Sequence, residues 1–233
     1  MSFYKKVKLM NKSEKRRLKF SLIPPLFFLM IMWVVKIIEY SFDYNWFVYG
    51  IYPLKFENLT GIIFSPFLHG DFDHLISNSV PFLFLGTSLF YFYREFAYKV
   101  FLLIYVLTGL WVWLAAREAY HIGASGMVYG LASFLFFSGL IHKNRALASL
   151  SLIIVFIYGS MIWGVLPIKE GMSWESHLFG AVTGLILTLA FARKQVFDET
   201  VEKEVIDELN EFSEKSVTHN DLADIHYFYK EEE

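Results

Sequence analysis

Four polar side chains sit inside apolar stretches where a purely structural sequence would not place them: His74, Asn78, Ser125 and His177. Polar groups at membrane depth cost free energy and usually face a cavity or one another. Their types fit one chemistry. A serine hydroxyl becomes a useful nucleophile when a neighbouring base takes its proton, and histidine does this near neutral pH. Attack on a carbonyl then creates an oxyanion that needs preorganised donors. Ser125 as nucleophile, His177 as base, and His74, Asn78 and the Ser125 N–H as donors fill these roles. Each also has a plainer reading, since serine in a membrane helix commonly serves packing and asparagine commonly bonds another helix.

The elements that must position them are helices. The 233 residues are 55% hydrophobic and 19% charged, a balance outside the range of soluble domains. Six apolar blocks of about 20 residues, the length of one bilayer crossing, are visible: Phe20–Tyr40, His74–Tyr93, Phe96–Ala116, Ile122–Ile141, Ala146–Leu166 and Met172–Ala192. A single span must satisfy its own backbone hydrogen bonds, so all six are expected to be helical. The expectation is an all-α polytopic membrane protein with one six-helix membrane domain. It would run from 20 to 194, after a basic segment at 1–19 and before an acidic amphipathic tail at 195–233. The first block is too long for a signal-peptide core and reads as a retained helix.

Positive residues set the orientation. Eight precede the first block, in "KKVKLMNKSEKRRLK"; Arg94, Lys99, Lys143, Arg145, Arg193 and Lys194 fall on the same side. The opposite connections hold Lys55, Arg117 and Lys169. Both termini are therefore expected in the cytoplasm, with the second, fourth and sixth helices starting at the outer face. All four polar groups lie within the first two turns of those helices, so they share a depth near the outer face.

Helices four and six must approach closely for His177 to reach Ser125. Gly123, Gly126 and Gly130 on one, and Gly180 and Gly184 in a G-x-x-x-G spacing on the other, allow that. Gly180→Val is expected to do more harm than Gly180→Ala. Glu175, two residues before His177, points elsewhere on the helix, which leaves a Ser–His dyad. The connection 41–73 is apolar enough to lie in the membrane interface, with Trp46, Phe47, Tyr49, Ile51, Tyr52, Ile62, Ile63, Phe64 and Phe67. The tail places Phe197, Val201, Val205, Leu209 and Phe212 at helical spacing.

Other chemistries fit less well. Met127 breaks the G-x-S-x-G elbow, and the zinc-protease pattern H-E-x-x-H is absent. "HGDFDH" offers His69, Asp71, Asp73 and His74 as metal ligands, but on an outer loop that defines no geometry; no metal or other cofactor is expected. A transporter is disfavoured by the lack of a two-fold hydropathy repeat. The chain has no cysteine, which excludes disulfides.

These residues resemble the rhomboid intramembrane serine proteases. "GASGMVYG" is similar to the family's G-x-S-G motif, "HLISNSV" to its H-x-x-x-N motif and "SHLFGAVTG" to its sixth-helix pattern; "FLHGDFDHL" adds an earlier histidine, His69. The resemblance implies a six-helix bundle in which His69 is structural and Tyr129 stacks on the catalytic imidazole. It implies an endopeptidase cutting single-pass membrane proteins in or near their transmembrane segments, with entry between helices two and five. The family's Trp-Arg pair is replaced by "GIYPLKFENLTG". The expected partners are transmembrane substrates and the lipid bilayer, with no nucleic acid. The expected location is a bacterial plasma (inner) membrane, with the site opening to the outer face. The alternative is a relative that binds membrane clients without cutting them, which would normally lack the serine or the histidine.

Overall fold

The computed structural model describes residues 12–142, 149, 152–153, 164–166 and 173–191. The chain divides into two compact units, Met1–Gln195 and Val196–Glu233, and every described residue falls in the first. Outside the described residues lie the basic run before Lys12, Lys143, Arg145, Lys169, Arg193 and Lys194, most of the fifth apolar block, and the tail with its expected amphipathic helix.

The described chain is helical: α1 (Lys12–Ser41), the single turn α2 (Gly61–Phe64), α3 (Phe72–Phe92), α4 (Ala97–Ala115), α5 (Ser125–Ile141) and α6 (Trp174–Phe191). Four of these, α1, α3, α4 and α6, are long and apolar enough to cross a membrane, and α5 is a shorter apolar helix. The chain is thus an integral membrane protein, all-helical among the described residues.

Two helices differ from the sequence expectation at their N-terminal sides. α1 is already helical at Lys12, the first described residue, so the helix runs through basic residues ahead of the apolar stripe, as good helix formers such as lysine and arginine allow. α5 begins at Ser125, not at Ile122. Gly123 has φ +104°, a left-handed conformation that halts the helix and suits glycine. Its N–H donates to the Ser65 carbonyl at 2.8 Å, so a distant segment fixes the break. The 17 residues left span roughly 25 Å, short of the ~30 Å hydrocarbon thickness. Ser125 therefore starts the helix directly after a loop and is not one turn inside it.

Among the described helices the most extensive pairing is α5 on α6. A Cβ on Gly180 would strike the Gly126 carbonyl oxygen, and one on Gly184 would strike the Gly130 carbonyl. The helices touch backbone to backbone, so even a single methyl at Gly180 has no room. Side chains add bonds across the seam: Ser133 Oγ donates to the Ala181 carbonyl at 2.7 Å and Thr188 Oγ1 to Phe134 at 3.2 Å. On the other flank α1 packs along α3, where Pro25 fills the space above Gly86.

The connection between α1 and α3 is built of 3-10 turns at Trp46–Tyr49, Phe56–Asn58 and Ser65–Phe67 around α2. It is tied to the α4–α5 side. Ile51 and His121 exchange both backbone hydrogen bonds, at 3.0 and 2.8 Å, and the Trp113 indole N–H donates to the Lys55 carbonyl. Of the residues read as interfacial, Phe47, Tyr49, Ile63 and Phe64 are exposed, whereas Ile51 is buried against Val112 and Trp113.

Candidate active site

The first residue of α5 and the first turn of α6 meet at a hydrogen bond. Ser125 Oγ lies 2.8 Å from His177 Nε2, and His177 Nδ1 lies 2.8 Å from the Gly164 carbonyl. A carbonyl oxygen can only accept, so Nδ1 carries the ring proton. Nε2 is then left with its lone pair, and the serine hydroxyl donates to it. That is the tautomer a general base requires. Both side chains are buried, at 9% and 7% exposure. Tyr129, one turn beyond Ser125, stacks on the imidazole with ring centroids 4.3 Å apart and planes 9° from parallel.

His74 and Asn78 come together one helical turn apart on α3, against Gly123. A Cβ at Gly123 would lie 2.7 Å from His74 Cε1, 2.8 Å from His74 Nε2 and 3.6 Å from Asn78 Nδ2. Glycine is required here twice, for its φ and for the space its missing side chain leaves. Asn78 Nδ2 is buried and has no hydrogen-bond partner among the described residues. An unsatisfied buried donor is uncommon and asks for an acceptor. Beside it, the N–H groups in the first turn of α5, Ser125 included, have no intrahelical acceptor, and the helix dipole adds positive potential there.

In "HGDFDH", Asp71 caps α3 by accepting from the His74 N–H at 2.6 Å. His69 packs its ring against His74, 5.0 Å between centroids, and is not brought to Ser125. Burial, with the His74 ring beside it, lowers the His69 pKa to about 3. It is held neutral.

Residues 57–194 match the rhomboid domain family. An uncharacterized protein of Mycobacterium tuberculosis is 33% identical over 168 residues, covering 68% of this chain and 70% of that one. RHOMBOID-like protein 4 of Arabidopsis thaliana is 30% identical over 128 residues, 52% of this chain and 31% of that protein. A putative rhomboid protein of Acanthamoeba polyphaga mimivirus is 26% identical over 149 residues, 60% of this chain and 81% of it. The chain belongs to the rhomboid family. Its rhomboid domain contains all four polar groups, whereas α1 precedes it.

Several residues that shape this rhomboid site escaped the sequence reading. Lys36 and Glu39 form a buried ion pair at 2.9 Å near the end of α1. Lys36 Nζ also donates to the His69 and Gly70 carbonyls at 2.9 and 3.0 Å, using all three of its donors, and Glu39 accepts from the Trp46 N–H. The pair ties α1 to the turn that enters α3, and so to the start of the helix carrying His74 and Asn78. Two charges three residues apart in an apolar block were a visible signal. Gly164 was not one: its contribution is a backbone carbonyl, which any residue could offer. His121, four residues before Ser125, had no role in that reading; it is buried and bonded to Ser173 Oγ at 2.6 Å.

Proposed function

We propose that this rhomboid is an intramembrane serine endopeptidase that hydrolyses peptide bonds in or near transmembrane segments of other membrane proteins. One observation carries the reading: Ser125 Oγ donates to Nε2 across 2.8 Å while Gly164 holds the proton on Nδ1. Ser125 Oγ attacks the scissile carbonyl carbon as its proton passes to Nε2. The Asn78 amide, His74 and the Ser125 N–H bind the oxyanion that forms. Collapse breaks the C–N bond, and the imidazolium gives its proton to the departing amine. Water, deprotonated at the same Nε2, then hydrolyses the acyl ester and restores the serine. Nδ1 keeps its proton throughout, with the Gly164 carbonyl standing where a carboxylate stands in triads. Glu175 does not take that place; its carboxylate lies 3.5 Å from Arg117 Nε.

In this reading the fifth apolar block supplies a further span, giving six. Both termini are cytoplasmic and the site opens to the outer face of a plasma membrane. The short α5 leaves Ser125 below a loop through which water can arrive. Substrates enter sideways from the bilayer between the second and fifth spans.

The test is cleavage of a fluorogenic single-pass transmembrane substrate by the purified chain in detergent. Product from the wild type, lost in Ser125→Ala and His177→Ala, supports the proposal. A wild type that binds the substrate without cutting it would favour the client-binding alternative. A fluorophosphonate probe should label Ser125 alone.

A further inference from the structure

We infer that His121 is a positioning residue: with Ser173 it forms a clasp that holds the start of α6, and thereby His177, in register with Ser125. This rests on the dyad proposed above and adds to it what keeps the dyad aligned.

The clasp is a second serine–histidine pair. His121 Nε2 lies 3.0 Å from the Arg117 carbonyl, so Nε2 carries the proton and donates. Nδ1 is left to accept, and Ser173 Oγ donates to it at 2.6 Å. Ser173 has one proton and has used it, so the Ser176 hydroxyl donates to Ser173 Oγ, also at 2.6 Å. The direction of every bond in the chain follows from the one carbonyl-directed ring. His121 itself is 2% exposed and held by backbone bonds on both sides of its residue to Ile51. A rigid acceptor is therefore fixed to the 46–55 segment before α6 reaches it.

Its position along the chain gives it leverage. His121 precedes Ser125 by four residues, and Ser173 precedes His177 by four. The loop from 117 to 124 thus carries the nucleophile at one end and grips the base's helix at the other. Arg117 adds a second tie from the same loop, to Glu175 at 3.5 Å. On the far side of the dyad, Gly180 rests on Gly126. The Ser125–His177 bond sits between two fixed points, the glycine contact and the clasp. Removing the clasp frees the first turn of α6, which has no other described side-chain bond to the 117–124 loop except through Arg117. Angular freedom at His177 lowers the fraction of productive geometry, and displacements of about 1 Å can cost on the order of 100-fold in rate.

The experiment uses the full chain in detergent with three variants. His121→Phe keeps the bulk and removes the acceptor. His121→Asn keeps an acceptor oxygen near the Nδ1 position. Ser173→Ala removes the donor. We expect His121→Phe and Ser173→Ala each to lower kcat about tenfold with KM unchanged, and His121→Asn to recover most of it. Amide hydrogen exchange at residues 173–177 should speed up in His121→Phe and Ser173→Ala while exchange in α3 and α4 stays as in the wild type. Unchanged exchange at 173–177 in His121→Phe overturns the clasp, and so does equal loss of kcat in the Phe and Asn variants. A wild type with no Ser125-dependent cleavage sinks the protease reading instead. The exchange arm still decides whether His121 holds α6.

Discussion

Two serine–histidine pairs lie on the same two stretches of chain, four residues apart in each. In one, Ser125 faces Nε2 of His177 and a carbonyl holds Nδ1. In the other, Ser173 faces Nδ1 of His121 and a carbonyl holds Nε2. Both serines donate to a neutral imidazole, so the hydrogen bond alone does not make a nucleophile. Their surroundings differ. Ser125 opens a helix whose first N–H groups have no intrahelical acceptor, and the Asn78 amide, unpartnered among the described residues, and His74 lie against Gly123 just before it. Tyr129 stacks on its imidazole. Ser173 Oγ is already engaged by Ser176, and His121 is enclosed by the backbone of Ile51. The first pair is short of an acceptor for its donors; the second is satisfied. The pair proposed as reactive is the one with unsatisfied hydrogen-bond donors beside it, and the pair proposed as a clasp is the one without them.

The strongest way to break this contrast is to remove each serine. Ser125→Ala or His177→Ala should lower kcat/KM on the order of 10⁴-fold or more, since members of a nucleophile–base unit fail together. Ser173→Ala should cost no more than about tenfold in the same assay. Comparable losses at both serines would mean that bonding, not surroundings, decides reactivity. Next comes the donor set. Asn78→Ala removes one of the proposed oxyanion donors, for an expected loss of about 10² to 10³ in kcat with little change in KM. A change confined to KM would make Asn78 a substrate-binding group and leave the oxyanion to the α5 N–H groups.

Gly180 tests the fixed point that both pairs share. The sequence alone suggested a graded response from Ala to Val. The backbone contact with Gly126 removes the grading, because the Cβ common to both already collides. Gly180→Ala should therefore cost on the order of 100-fold in kcat while the chain still inserts and purifies as a folded species. Near-wild-type turnover would show that α5 and α6 can separate without parting Ser125 from His177.

What could be read from the sequence was what the membrane makes costly. Ser125, His74, Asn78 and His177 stood out because apolar blocks penalise them, and the glycines because they recur at helical spacing. The residues that were missed act through the main chain or over distance. The break before Ser125 depends on the Ser65 carbonyl, and the tautomer of His177 on the carbonyl of Gly164. Neither has a side-chain signature. His121 and Ser173 are 52 residues apart, and only the folded chain brings them to 2.6 Å. Lys36 and Glu39 were visible, yet their meaning lay in the His69 and Gly70 carbonyls they reach.

The smallest effect concerns acid. Nδ1 of His121 must be unprotonated to accept from Ser173, so protonation turns the clasp from acceptor to competing donor. Burial lowers the His121 pKa, against Glu175, which raises it; Arg117 faces the ring both ways, its carbonyl raising the value and its guanidinium lowering it. A histidine lowered in the folded state binds fewer protons there than in the unfolded chain. Its contribution to stability is present above the unfolded value of about 6.5 and is lost as pH falls below it, by at most about 1.4 kcal/mol per pH unit. Hydrogen exchange at residues 173–177 should accordingly lose protection below pH 6.5 in the wild type, after correction for intrinsic rates. In His121→Asn, which cannot take up a proton, that loss should be absent. Other histidines, His69 among them, titrate over an overlapping window, so the difference between the two proteins is the quantity to read. Matching pH profiles would assign the acid sensitivity to groups other than His121 and leave the clasp indifferent to protons.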